Sequence, residues 1–126
     1  TGRALVLKHA LRLMPRDRRS VFAVLSARVG SIGDNRLGGW YSYRASKAAL
    51  NQLIHTAAIE VARSNRQAIC VALHPGTVAT AFTENYRNHE TVPAAQAAAN
   101  LLGVMDGLSA ADTGGFFDWA GNLVEW

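Results

Sequence analysis

The chain has 126 residues, 49% of them hydrophobic, and a formal charge of +4. That is enough apolar material for one modest domain with a core, and too much for a disordered chain. No basic stripe interleaves with aromatics, no zinc-ligand spacing occurs, and no apolar run reaches bilayer length, which argues against nucleic-acid binding, metal binding and membrane insertion.

The elements alternate along the chain. Leu5, Leu7, Leu11 and Leu13 among alanines and bases predict a helix from about Arg3 to Met14, ended by Pro15. Arg16-Asp17-Arg18-Arg19 reads as a solvated loop and carries part of the positive charge. Val21 to Leu25 is a short apolar run of the kind found in strands buried on both faces. Ser26 to Gly39 is glycine-rich and polar, and predicts a loop. A long helix is expected from Trp40 or Tyr41 to about Arg63, with alanines that permit close packing.

Residues 68 to 73 predict a second buried strand, stopped by His74-Pro75-Gly76. Cys70 lies within it as a buried structural thiol, since a single cysteine has no internal disulfide partner. A short helix over Thr80 to Arg87 and a longer one from Pro93, at its first turn, to about Leu108 come next. Phe116 to Trp119 then forms a strand, followed by a turn at Gly121-Asn122 and a terminal Leu123-Val124. Short apolar strands alternating with helices predict an α/β fold with a parallel sheet, whose ligands bind beyond the carboxyl ends of the strands.

The chemistry concentrates in Tyr43-Arg44-Ala45-Ser46-Lys47. Tyr43 and Lys47 stand one helical turn apart on one face. A free phenol, with a pKa of about 10, is a poor proton exchanger at neutral pH, and a nearby ammonium favours its phenolate. The pair therefore suits acid/base work on a carbonyl or alcohol oxygen. The pattern alone is weak. It gains weight because this chain holds eleven arginines and only two lysines, so that a lysine here suggests a need for a compact charge on a flexible stem.

Ser26-Ala27-Arg28-Val29-Gly30-Ser31-Ile32, Tyr43-x-x-x-Lys47 and His74-Pro75-Gly76-Thr77-Val78-Ala79-Thr80, with the closing Gly-Phe-Phe-Asp and Trp126, together resemble the downstream half of the short-chain dehydrogenase/reductase family. The Gly-Ser-Ile-Gly-Asp-Asn loop is similar to the C-factor-like and carbonyl reductase branch. The resemblance implies the C-terminal portion of a Rossmann-like doubly wound parallel sheet and an NAD(P)-dependent oxidoreductase. Tyr43 would exchange a proton with the substrate oxygen, and Lys47 would assist it and hydrogen-bond the nicotinamide ribose. Pro75 and Gly76 would shape a turn against the nicotinamide, with Val78 and Thr80 contacting the cofactor. Phe82, Tyr86 and His89 would line a substrate lid.

Two departures accompany the resemblance. Family members usually carry Ser-Ser-x-x-Gly, and Ala27 stands at the second serine, which leaves Ser31 or Ser26 as the substrate-binding hydroxyl. No glycine-rich phosphate turn of a dinucleotide fold is present. The expected reading is thus residues 1–126 as the catalytic and substrate-binding portion of one NAD(P)-binding domain, in a cytoplasmic parent that forms a dimer or tetramer through the helices near 3–14 and 41–63. The alternative is a truncated, non-catalytic interaction or signalling module of the same fold. The natural substrate and the choice between NAD and NADP are not encoded in these residues.

Overall fold

The computed structural model describes residues 2–76 and 92–126. The order is α1 (Gly2–Leu13), β1 (Ser20–Leu25), a 3-10 turn (Arg28–Gly30), α2 (Tyr41–Ala62), β2 (Ala68–His74), α3 (Ala94–Gly107), a second 3-10 turn (Ala110–Asp112) and β3 (Phe116–Asp118). The helix expected over Thr80 to Arg87 lies outside the described residues. The three strands form one parallel sheet in the order β1-β2-β3. The second 3-10 turn has no hydrophobic period to announce it, and is closed by Ser109 and Asp112 bonding each other's main-chain amides.

β2 is the centre of the sheet, and Ala68 to Leu73 are all buried. Successive side chains of a strand point to opposite faces. Cys70 and Ala72 therefore join Ile54 and Ala58 of α2, Phe116 and Val124, with Leu7 and Leu11 of α1 packed against them. Ile69, Val71 and Leu73 join Leu108 and Phe117 on the other face, with Leu101 and Val104 of α3. Helices thus cover both faces, which explains why the strands read as unbroken apolar runs and not as alternating ones. Cys70 is free, and burial pushes its thiol up to about 11.

The long helix α2 buries Leu50, Ile54, Ala57 and Ala58, the i, i+4, i+7, i+8 stripe of a helix packed on one side. Its alanines bring the backbone close to the sheet. One boundary and one loop residue differ from expectation. Pro93 is the residue before α3, with extended ψ of 147°, and the first helical residue is Ala94. Arg19 is exposed but not merely solvated: its guanidinium donates to the carbonyls of Met105 and Leu108, at the C-terminal end of α3. A cation at that end satisfies carbonyls the helix leaves open and complements its dipole.

The loop after β1 rests directly on α2. A Cβ on Gly30 would lie 2.8 Å from Lys47 Cβ and 2.9 Å from the Lys47 carbonyl carbon. The obstacle includes backbone, so it cannot swing aside. Gly30→Ala is expected to destabilise the fold by about 1–3 kcal/mol, the usual range for an overpacked contact. Urea unfolding would register it as a lowered midpoint with little change of slope, and an unchanged midpoint would refute the close fit.

Candidate active site

Three strands running in the same direction deliver their last residues to one edge of the sheet. Ser26 follows β1, His74-Pro75-Gly76 closes β2, and Asp118-Trp119 closes β3. The first two turns of α2, with Tyr43 and Lys47, follow the loop from β1. Polar bonds tie these ends together. Ser26 N–H donates to Leu73 O at 2.8 Å, and Arg28 N–H donates to His74 Nδ1 at 3.2 Å. The Arg28 guanidinium reaches Asp118 Oδ2 at 3.2 Å and Asp34 Oδ1 at 3.5 Å. Gly76, with φ of +79°, turns beneath Trp119, whose Cδ1 would lie 3.1 Å from a Cβ there. The left-handed backbone favours glycine, and the indole leaves little room for a side chain.

Tyr43 is half exposed, and the Lys47 ammonium lies 5.8 Å from the centre of its ring. The expected pairing on one helix face is therefore present, with the phenol open to an incoming molecule. The start of α2 is unusual. Gly38, Gly39 and Trp40 all have positive φ, and Trp40 at 53° is the one described non-glycine residue to do so. Such a conformation is strained for a bulky side chain and survives only where surroundings hold it. Arg44 supplies the hold: Nε donates to Gly39 O at 2.8 Å, Nη2 to Gly38 O at 3.1 Å and Nη1 to Val29 O at 3.3 Å. The planar fork suits three carbonyls from two parts of the loop, a task for arginine and not lysine.

Both candidate serines are buried. Ser26 Oγ donates to Asn51 Oδ1 at 2.6 Å, and Asn51, one turn beyond Lys47, keeps an Nδ2 with no partner among the described residues. Ser31 Oγ donates to the carbonyl of Glu125 and accepts Asp34 N–H at 3.0 Å. Pro75 and Gly76 stand at the edge as expected, while Val78, Thr80, Phe82, Tyr86 and His89 lie outside the described residues.

Sequence reasoning passed over Arg28, Arg44, Asn51 and Trp119. Arg44 sits inside the very motif that was singled out, but its three acceptors are main-chain carbonyls, which carry no residue identity. Asn51 was readable as the next member of the 43, 47, 51 helical row.

His74 is the titrating group most bound up with this edge. Burial lowers its pKa first, the Arg28 charge lowers it further, and Asp118 and Asp34 oppose the change. Its Nδ1 accepts a main-chain proton, so the ring is neutral with its proton on Nε2. Because the folded pKa lies below the ordinary value of about 6.5, the unfolded chain takes the proton first. The contribution is full above that value and is lost as pH falls through and below it. Stability measured by urea unfolding from pH 8 to 5 is expected to drop more steeply in the wild type than in His74→Asn, which keeps an acceptor but does not titrate. Parallel profiles would contradict this.

Comparison with known proteins places this geometry. Residues 1–91 match the family model for short chain dehydrogenases. The chain is 36% identical over 104 residues to 1-hydroxy-2-glutathionyl-2-methyl-3-butene dehydrogenase of Rhodococcus sp. (strain AD45), covering 82% of this chain and 45% of that protein. It is equally 36% identical over 104 residues to C-signal of Myxococcus xanthus, covering 82% of this chain and 60% of that one. Among solved structures, the NADPH-bound carbonyl reductase from chicken fatty liver superposes with a TM-score of 0.70 and 30% identity, over 95% of this chain and 48% of that one. The chain spans about half the length of the curated relatives it matches. A parallel sheet covered on both faces, with a tyrosine and lysine one turn apart at its carboxyl edge and a family match over most of its length, makes this chain a member of the short-chain dehydrogenase/reductase family.

Proposed function

We propose that this chain is the catalytic and substrate-binding portion of an NAD(P)-dependent oxidoreductase that interconverts a carbonyl and an alcohol. The observation that carries the reading is the half-exposed Tyr43 with the Lys47 ammonium 5.8 Å from its ring centre, at the edge where all three strands end. The relatives named as a dehydrogenase and an NADPH-bound carbonyl reductase support the reaction class.

The residues present fit one half of the cofactor. A phenol that donates and accepts and an ammonium that only donates match ribose hydroxyls and a reacting oxygen. Pro75 and Gly76 offer a turn on the same edge, and Val78 and Thr80 follow them in the chain. No glycine-rich phosphate turn is available for the pyrophosphate and adenine half, which we assign to a segment outside these residues. When bound, the nicotinamide supplies or takes up the hydride.

The chain's own residues handle the proton. In the reductive direction the Tyr43 hydroxyl donates to the oxygen as negative charge develops there. Lys47, close to the ring, stabilises the charge this leaves on the phenol oxygen. Arg44, by fixing the strained turn into α2, holds the tyrosine at the mouth of the site. Ser31 and Ser26 are the two candidates for a second donor to the substrate oxygen, each now donating within the chain. Phe82 and Tyr86 are assigned to a substrate lid by their position after the His-Pro-Gly turn. Exposed Leu5, Val6 and Leu13 on α1, with Leu53 and Ile59 on α2, support self-association of these helices.

No helix among the described residues is long and apolar enough to cross a membrane. We assign a cytoplasmic location.

Two measurements test the reading. In the polypeptide that carries this chain with its dinucleotide-binding segment, Tyr43→Phe is expected to cut the kcat for NADPH-dependent reduction of an aromatic aldehyde by about a hundredfold or more, with the cofactor KM little changed. An undiminished kcat would sink the assignment. Titration of the 126-residue chain alone with NADH and NADPH, followed by cofactor fluorescence, is expected to show weak binding or none. Tight binding would contradict the assignment of the pyrophosphate and adenine half to another segment.

A further inference from the structure

The last two residues close on the loop that carries Ser31. Trp126 is anchored by its ring, which stacks on Phe116 with centroids 5.5 Å apart and planes 27° apart, and meets the His55 ring edge-on at 5.5 Å. Phe116 is fully buried in β3, so this anchor belongs to the core. The main chain beside the anchored ring then holds the loop. Gly33 N–H donates to the main-chain oxygen of Trp126 at 2.8 Å, and the Ser31 hydroxyl donates to the carbonyl of Glu125. A Cβ on Gly33 would lie within 2.7 Å of the Glu125 side chain, which rests against the loop.

The loop passes that position on. Ser31 directly follows Gly30, whose Cα is packed against the Lys47 backbone so tightly that a Cβ there would lie 2.8 Å from Lys47 Cβ. Ser31 N–H donates to Arg28 O and Gly30 N–H to Ala27 O, both at 2.9 Å, which makes residues 27 to 31 a stiff turn. Ser31 and Lys47 are thus linked through a short hydrogen-bonded turn in close contact with α2.

We propose that Trp126 is a positioning residue: through the main-chain clasp of residues 125–126 on Ser31 and Gly33, it sets where the loop after β1 meets Lys47. The inference rests on the reading of Tyr43 and Lys47 as the proton-handling pair. Nothing in it requires the indole to touch substrate or cofactor. A loop misplaced by about 1 Å is enough to lower a rate by one to two orders of magnitude when reacting groups must be aligned.

The test compares Trp126→Ala and Trp126→Phe with the wild type, in the polypeptide that carries the dinucleotide-binding segment. Hydrogen exchange of the Gly33 and Asp34 amides and the steady-state constants for NADPH-dependent aldehyde reduction are the two readouts. Trp126→Ala is expected to speed exchange at Gly33 and lower kcat about tenfold or more, leaving the NADPH KM within about threefold; Trp126→Phe, which keeps a ring on Phe116, restores both. Should the alanine variant not fold, Trp126→Leu takes its place with the same expectation. A lower melting temperature with unchanged exchange and unchanged kcat overturns the proposal, as does faster exchange without loss of kcat, or loss of kcat without faster exchange. A rise confined to KM overturns it as well. Tyr43→Phe, run alongside, separates the two readings: if it retains full kcat the proton-handling assignment fails, while Gly33 exchange still reports on the clasp.

Discussion

The parallel pairing of β2 with a strand on each side is the constraint on which the rest depends. Ala68 to Leu73 registers against Ser20 to Leu25, and Ala72 to His74 against Phe116 to Asp118. Parallel strands need a crossover between them, and these crossovers are α2 and α3. Parallel direction also places every strand's carboxyl end on one edge. Without that common polarity, Ser26, His74 and Asp118 would lie on different edges, and Arg28 could not bond both His74 and Asp118. The site is thus a consequence of sheet polarity before it is a consequence of any motif.

What converts this edge from a collection of loop ends into a defined surface is a small number of glycine and arginine contacts. Gly30 lets the loop lie on the backbone of Lys47, and Gly76 lets the turn after β2 pass beneath Trp119. Arg28 joins the loop to the end of β3, and Arg44 joins both halves of the loop to the start of α2. The arginine bias of the chain has a local meaning here, because a planar fork with several donors bridges carbonyls that a lysine would contact one at a time. Positive-φ residues 38 to 40 carry the backbone strain that such bridging offsets.

The two outer strands are unlike. β3 is buried along its length, whereas β1 is half-buried from Ser20 to Val24 and exposed at Leu25, with a strand on only one of its sides among the described residues. Its apolar composition suits a strand covered on both faces and flanked on both edges. This agrees with a chain that spans about half the length of its curated relatives, and with our assignment of the phosphate-binding part of the domain to another segment.

The sequence by itself determined the element order, the parallel α/β class and the helical row of Tyr43 and Lys47, because each is a local property: strand and helix differ in period, and residues four apart on a helix must share a face. It also announced the turn at His74-Pro75-Gly76 through proline and glycine. Only the tertiary structure decided what Ser26, Ser31, Arg28 and Arg44 do. Their partners are Asn51, Glu125, Asp118 and the carbonyls of Val29, Gly38 and Gly39, several of them distant in the chain or offering main-chain atoms common to every residue type. The same holds for Pro93, which sits one position outside its helix, and for Arg19, whose acceptors at the end of α3 exist only once that helix has packed on the sheet. Periodicity records which side of an element is apolar, but the partner of a polar group is chosen by the fold.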